Sequence, residues 1–253
     1  MKSKKAKIAS VLFISVIMIL IAASLIYFNF NTVGYRLSVK FHGFEQAADN
    51  VWFDKDYTGD KQEALDIIDE AHSRVSDYFG VTKSSPVIII TDNQKKIIRL
   101  GGDHDTMIVM LGGVKCYTSI SSKWLTTDII AHELTHAETH ERTDSGKFLS
   151  RSELPVWFDE GLALQNDYRE RYDYLSHIDE FPEEMISSTD LNKLAKSEYF
   201  YASDDTQRYY NYLDSKEEVK KILSDYDSQS ICELLEKIKN GDRPDEIFSP
   251  SNP

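Results

Sequence analysis

The sequence predicts an α+β chain. A small mixed sheet packs on one amphipathic helix, a mainly helical C-terminal part follows, and a single N-terminal transmembrane helix precedes both. Three observations predict it. Residues 8–28 run without a charge, long enough as a helix to cross about 30 Å of hydrocarbon. Two short apolar runs bounded by turn residues, Val87–Thr91 (V-I-I-I-T) and Thr106–Leu111 (T-M-I-V-M-L), read as strands. Apolar residues recurring every three or four positions mark helices from Asp60 onward and again towards the C-terminus.

Taken in order, the chain opens with Lys2, Lys4, Lys5 and Lys7. The positive-inside rule makes residues 1–7 a cytoplasmic tail and everything after the span extracytoplasmic. The apolar run continues through Leu25–Phe28, beyond the small residues Ala22, Ala23 and Ser24. Residues 8–28 therefore suit an uncleaved signal anchor better than a cleaved leader, whose apolar core is shorter. Residues 29–55 read as a juxtamembrane segment with room for a first strand or short helix, 56–243 as one domain and 244–253 as a disordered tail. Ala64, Ile67, Ile68, Ala71, Val75 and Tyr78 make an apolar stripe over Asp60–Phe79, which Gly80 stops. Pro86 opens the first strand. Gly112-Gly113 ends the second, which leaves a plain hairpin and a sheet edge that pairs with a substrate backbone both open.

A helix capped by Thr126 or Thr127 then runs through D-I-I-A-H-E-L-T-H-A-E-T-H, with Leu125, Ile129, Ile130 and Leu134 on its buried side. Pro155 introduces another helix, V-W-F-D-E-G-L-A-L-Q-N-D-Y. Ser215–Glu218 (S-K-E-E) has the form of a capping box ahead of V-K-K-I-L, and Ser228–Lys239 with Gly241 after it reads as a last helix.

Hydrophobic content of 41% and charged content of 28% exclude wholesale disorder. A net charge of −13 argues against nucleic acid as a partner, since phosphate binding needs a basic face. Cys116 and Cys232 belong to no C-x-x-C pair, and whether they join in a disulfide stays open.

The most specific chemistry lies at His132–His136 (H-E-L-T-H). Two histidines four apart share one helix face, so both imidazoles reach one metal ion, and Glu133 stands beside the open position as a general base for water. Zinc needs a third ligand and an open site. His140 continues the series, but each four-residue step turns about 40° further round the helix, so His140 drifts off that face. Glu160, on a separate helix, can approach from another direction. Asp128, Asp159 and Asn166 are alternatives for orienting the ligand imidazoles.

The pairing of H-E-L-T-H with a downstream W-F-D-E-G-L-A (Trp157–Ala163) resembles the gluzincin zinc metallopeptidases, in particular the peptidase MA-like and aminopeptidase N-like members. The resemblance covers about Asp128–Ala163. It implies a zincin-like catalytic domain and one Zn2+ per chain held by His132, His136 and Glu160. Glu133 is then the base, and a peptide or protein is the substrate. The aminopeptidase motif G-A-M-E-N is absent, which favours an endopeptidase. The stretch Y-F-Y-A-S resembles the family's tyrosine-bearing helix and nominates Tyr201 to stabilise an oxyanion, with Tyr199, Tyr209 and Tyr210 as competitors. The alternative is a catalytically silent binding or signalling domain tethered to the membrane.

Overall fold

A computed structural model describes residues 13–24, 27, 32–102, 106–111, 115–144, 154–173, 191–201 and 204–242. The expected tails, 1–7 and 244–253, and the Gly112-Gly113 turn lie outside these residues. Five strands form one mixed sheet in the order β1-β2-β3-β5-β4. They are β1 (Phe44–Ala48), β2 (Val51–Asp54), β3 (Val87–Ile90), β4 (Thr106–Leu111) and β5 (Lys115–Ile120). The pairs β1/β2 and β4/β5 are antiparallel, whereas β2/β3 and β3/β5 are parallel.

The strand β3 explains why its sequence is apolar throughout: it is covered on both faces. Ile88 and Ile90 join a core with Phe53, Ile68, Ile130 and Leu134. Val87 and Ile89 face the other way, against Tyr35, Val39, Leu100 and Tyr117. Residues 29–55, expected as a juxtamembrane segment with room for a first strand or short helix, contribute α1 (Thr32–Leu37) and the β1–β2 hairpin. In the hairpin turn Asn50 has φ 60°, a left-handed conformation that asparagine tolerates. The interior strand β5 carried no sequence signal. Its polar Lys115, Thr118 and Ser119 hide it, yet Tyr117–Ile120 are buried.

The helices α2 (Lys61–Phe79), α3 (Gln94–Arg99), α4 (Thr127–Thr143) and α5 (Val156–Ala163) follow the predicted pattern except α3, which was not expected. Asp60 caps α2 by accepting from the amides of Gln62 and Glu63, and Thr126 caps α4 by accepting from Ile129. The helix α4 is central: it packs on α2, α5 and the last helix and runs beside the edge strand β4. The T-M-I-V-M-L run is thus both a hairpin arm and a sheet edge. The C-terminal part comprises α6 (Leu191–Leu194), α7 (Ser197–Phe200), α8 (Asp205–Ile222) and α9 (Ser228–Lys239).

One boundary is corrected. Ser215 does not cap a helix; it lies inside α8, fully buried, and its Oγ donates to the Asn211 carbonyl at 2.6 Å. Asp204 caps α8, accepting from Gln207 N at 2.8 Å. The tight approach of α8 to α5 explains the misreading, because Ser215 is small enough for that contact. A Cβ added to Gly161 would stand 2.3 Å from the Ser215 carbonyl oxygen and 2.6 Å from Val219 Cγ2. Gly161→Ala is therefore expected to lower stability by about 1–3 kcal/mol through overpacking, read as a fall in the urea midpoint at unchanged slope.

Residues 13–24 are helical, with Phe13, Met18, Ile19 and Leu20 each 60% exposed or more. Among the described residues no helix is long and apolar enough to cross a membrane. Residues 8–12, 25, 26 and 28 of the predicted span lie outside them.

Candidate metal centre

The helix α4 presents His132 and His136 one turn apart, and α5 brings in Glu160 from a second direction. The two Nε2 atoms are 3.2 Å apart. Glu160 Oε2 lies 3.5 Å from His132 Nε2 and 3.4 Å from His136 Nε2. All three side chains are buried, and Glu160 Oε2 is enclosed with no hydrogen-bond partner. A buried carboxylate oxygen left facing two imidazole nitrogens is costly unless a cation completes it.

The spacing fits such a cation. Tetrahedral bonds of about 2.0–2.1 Å put neighbouring ligand atoms about 3.3–3.4 Å apart, close to each side of this triangle. The buried cluster of His132, His136 and Glu160 can hold a metal ion. Three protein ligands leave a fourth position for water.

The local charges agree. Burial pushes the Glu160 carboxyl up, but His136 and His132 more than reverse this and hold it down at about 2. Burial pulls the His136 imidazole down, yet Asp159 and Glu160 outweigh it and raise it well above the ordinary value. A proton on His136 thus competes with a metal. Below the raised pKa that proton must leave first, so apparent affinity is expected to fall about tenfold per pH unit as pH drops, and to level off above it. Glu160, ionised from about pH 2 upward, adds no further dependence near neutrality. Calorimetric metal titrations in buffers of differing ionisation enthalpy should count about one proton released per ion.

Behind the ligands stand two carboxylates. Asp159 Oδ1 is 3.2 Å from His136 Nδ1, and its Oδ2 is hydrogen-bonded to His140 Nε2 at 2.9 Å. His140 thus meets Asp159, outside the ligand triangle. Burial opposes ionisation of Asp159, but His140 and His136 keep its carboxyl far below the usual range. Asp167 Oδ2 lies 3.6 Å from His132 Nδ1 and is itself gripped by Arg169, whose Nε donates to both carboxylate oxygens at 2.8 and 3.0 Å. Of the three expected orienting residues only Asp159 faces a ligand. Asp128 pairs with Arg74 at 2.6 Å, and Asn166 donates to Thr135 Oγ1 at 3.0 Å. Asp167 was missed: it follows the turn after α5 in extended backbone, outside any helical period.

Glu133 lies on α4 between the two histidines and is partly buried. Burial raises its pKa, His132 and His136 pull it back, and Glu160 adds to the rise. The Tyr201 hydroxyl donates to Glu160 Oε1. Burial and then the Glu160 charge push that phenol far above its ordinary pKa, so it stays a donor. Its competitors are engaged elsewhere: Tyr209 donates to the Arg171 carbonyl, Tyr210 packs against the cluster of Leu164, Tyr172 and Leu213, and the Tyr199 ring lies under Lys193 Nζ at 5.3 Å. Tyr212, not singled out in the sequence, is partly buried, and desolvation followed by the charges of Glu160 and Glu133 raises its pKa.

No disulfide joins Cys116 and Cys232. Burial, reinforced by Glu141, Asp159 and Asp144, pushes the Cys116 thiol up to about 12. Compared with known proteins, the chain matches no family model, no curated protein and no solved structure.

Proposed function

We propose that the chain is a membrane-anchored, extracytoplasmic zinc metallopeptidase of the gluzincin type, acting as an endopeptidase on a peptide or protein. The observation that carries this reading is the unpartnered Glu160 Oε2 facing both histidine Nε2 atoms, with Glu133 beside them on the same helix. Two histidines and a carboxylate suit zinc among the common divalent ions, and three ligands with an open position suit a catalytic site. The anchor rests on the uncharged run of residues 8–28 and the lysines before it.

The chemistry zinc supplies in such a ligand set is Lewis acidity, which polarises a carbonyl and lowers the pKa of water from 15.7 towards about 7. The protein's own groups do the rest. Glu133 accepts the proton of the attacking water, which its raised pKa favours, and returns it to the leaving amine. Asp159 and Asp167 place a negative charge 3.2 and 3.6 Å from Nδ1 of His136 and His132 and so favour one orientation of each imidazole. Tyr201, kept protonated, turns its one O–H from Glu160 Oε1 to the oxyanion of the tetrahedral species. The edge strand β4, running beside α4, offers backbone groups for an extended substrate.

The test combines metal analysis of the purified full chain with cleavage of a peptide library before and after chelation. The expected result is one zinc per chain and cleavage that chelation stops and zinc restores. Zinc without cleavage would leave the catalytically silent binding domain; no zinc would sink both.

A further inference from the structure

The helix α1 and the turn after it lie on the face of the sheet opposite the metal centre. Tyr35 and Val39 pack there against Val87 and Ile89, whereas Ile88 and Ile90 join Ile130 and Leu134 of α4 on the other side. The outer side of this segment is apolar and uncovered. Phe41 is 77% exposed and Leu37 46%. Four positions apart on a helical path, they fall on one side of it. Lys40 joins them: it shares a cavity wall with Leu37, and its Nζ stands 5.0 Å over the Phe41 ring.

A single exposed apolar side chain is ordinary on a protein surface. What matters is where these two stand. Tyr27, near the end of the apolar run, bears directly on α1, since a Cβ on Gly34 would lie 2.5 Å from the Tyr27 carbonyl oxygen and 2.8 Å from its Cδ1. Leu37 follows Gly34 by one helical turn. The charge changes at the same place. No acid precedes Glu45, so all 42 acids of the chain lie from Glu45 onward, while Arg36 and Lys40 follow the apolar run. A phosphate surface repels the acidic part of the chain and leaves this stretch as the side that can approach it. Phenylalanine and leucine with a lysine beside them suit a segment lying in a headgroup layer. The apolar groups there sink about 5–10 Å into the boundary, and the ammonium stays at the phosphates.

We infer that Leu37, Lys40 and Phe41 rest on the lipid bilayer that holds the N-terminal run, with Phe41 inserted at the boundary between headgroups and acyl chains. The inference rests on the reading of residues 8–28 as an anchor. It gives the domain a fixed side towards the lipid. One helix layer and the sheet, each about 10 Å thick, then stand between the bilayer and α4. The metal centre thus meets polypeptide segments held clear of the bilayer, not those at its surface.

The experiment places the full chain in phosphatidylcholine nanodiscs, with and without bromine on the acyl chains near the headgroups, and compares Phe41→Trp and Val81→Trp with the wild type. Both positions are exposed. Val81 lies by the end of α4, where its carbonyl accepts from Arg142 Nη2. The emission added at position 41 is expected to be shifted to the blue and quenched by the brominated lipid, and that added at position 81 to be neither. Circular dichroism checks that both variants fold. Should Phe41→Trp fail to, Leu37→Trp gives the same reading one turn earlier. A chain that does not stay with the nanodiscs overturns the anchor and the docking together. A chain that stays, with the emission at position 41 unquenched, overturns the docking alone; unquenched but blue-shifted, it means that a protein surface covers Phe41 instead of lipid. Equal quenching at positions 41 and 81 also overturns the docking, because the domain then has no fixed side.

Discussion

Glu133→Gln is expected to bind zinc as the wild type does and to lose hydrolysis by about two to four orders of magnitude in kcat, the usual worth of a positioned general base. The amide keeps the shape of the carboxylate and leaves His132, His136 and Glu160 in place, so the metal site should persist. It cannot take a proton, so the attacking water stays weakly nucleophilic. The separation of the two readouts is the point. Metal content and the zinc-induced rise in melting temperature should match the wild type, while peptide cleavage falls. Wild-type cleavage by this variant would remove Glu133 from the mechanism even with zinc bound.

Glu160→Ala is expected to abolish metal-linked stabilisation. With zinc at about a hundred times its dissociation constant, the wild type should gain about 2.7 kcal/mol of stability by mass action. Without Glu160 the two imidazoles remain 3.2 Å apart, and α5 then offers them only Asp159, on the Nδ1 side of His136. The variant should show no gain at the same zinc concentration, and its activity should vanish with the ion. Metal-free, it is expected to fold, because the substitution deletes a buried carboxylate oxygen that has no partner. Circular dichroism checks this before the zinc titration is read. An unchanged zinc-induced stabilisation would exclude Glu160 as a ligand.

The two variants probe parts of the site that were legible to different degrees. His132, Glu133 and His136 could be read because their relation is local: four residues on a helix place two imidazoles on one face whatever else the chain does. Glu160 is not local to them. It was reached through the likeness of W-F-D-E-G-L-A to a known motif, and the packing of α5 on α4 brings its Oε2 within 3.5 Å of both histidines. Asp167 was passed over because its part depends on a turn after α5 and on the grip of Arg169, neither of which leaves a periodic trace. Ser215 shows the opposite failure. S-K-E-E has the form of a cap, yet burial against α5 and a bond to the Asn211 carbonyl keep it inside a longer helix.

By itself, then, the sequence determined the helix α4 with His132, Glu133 and His136 on it, the apolar strand β3 and the uncharged N-terminal run. Each is set by a pattern within about twenty residues, where side-chain periodicity and capping act. Only the tertiary structure decided the rest. The strand β5 owes its place to pairing with β3 and β4 on either side, and so Thr118 and Ser119 are buried despite their type. Asp159 rather than Asp128 faces a ligand because α5 lies on α4 while Arg74 of α2 takes Asp128. The Tyr201 hydroxyl reaches Glu160 from across the C-terminal helices, 41 positions along the chain. These contacts join residues far apart in sequence, and burial and packing between elements select them where local propensity cannot.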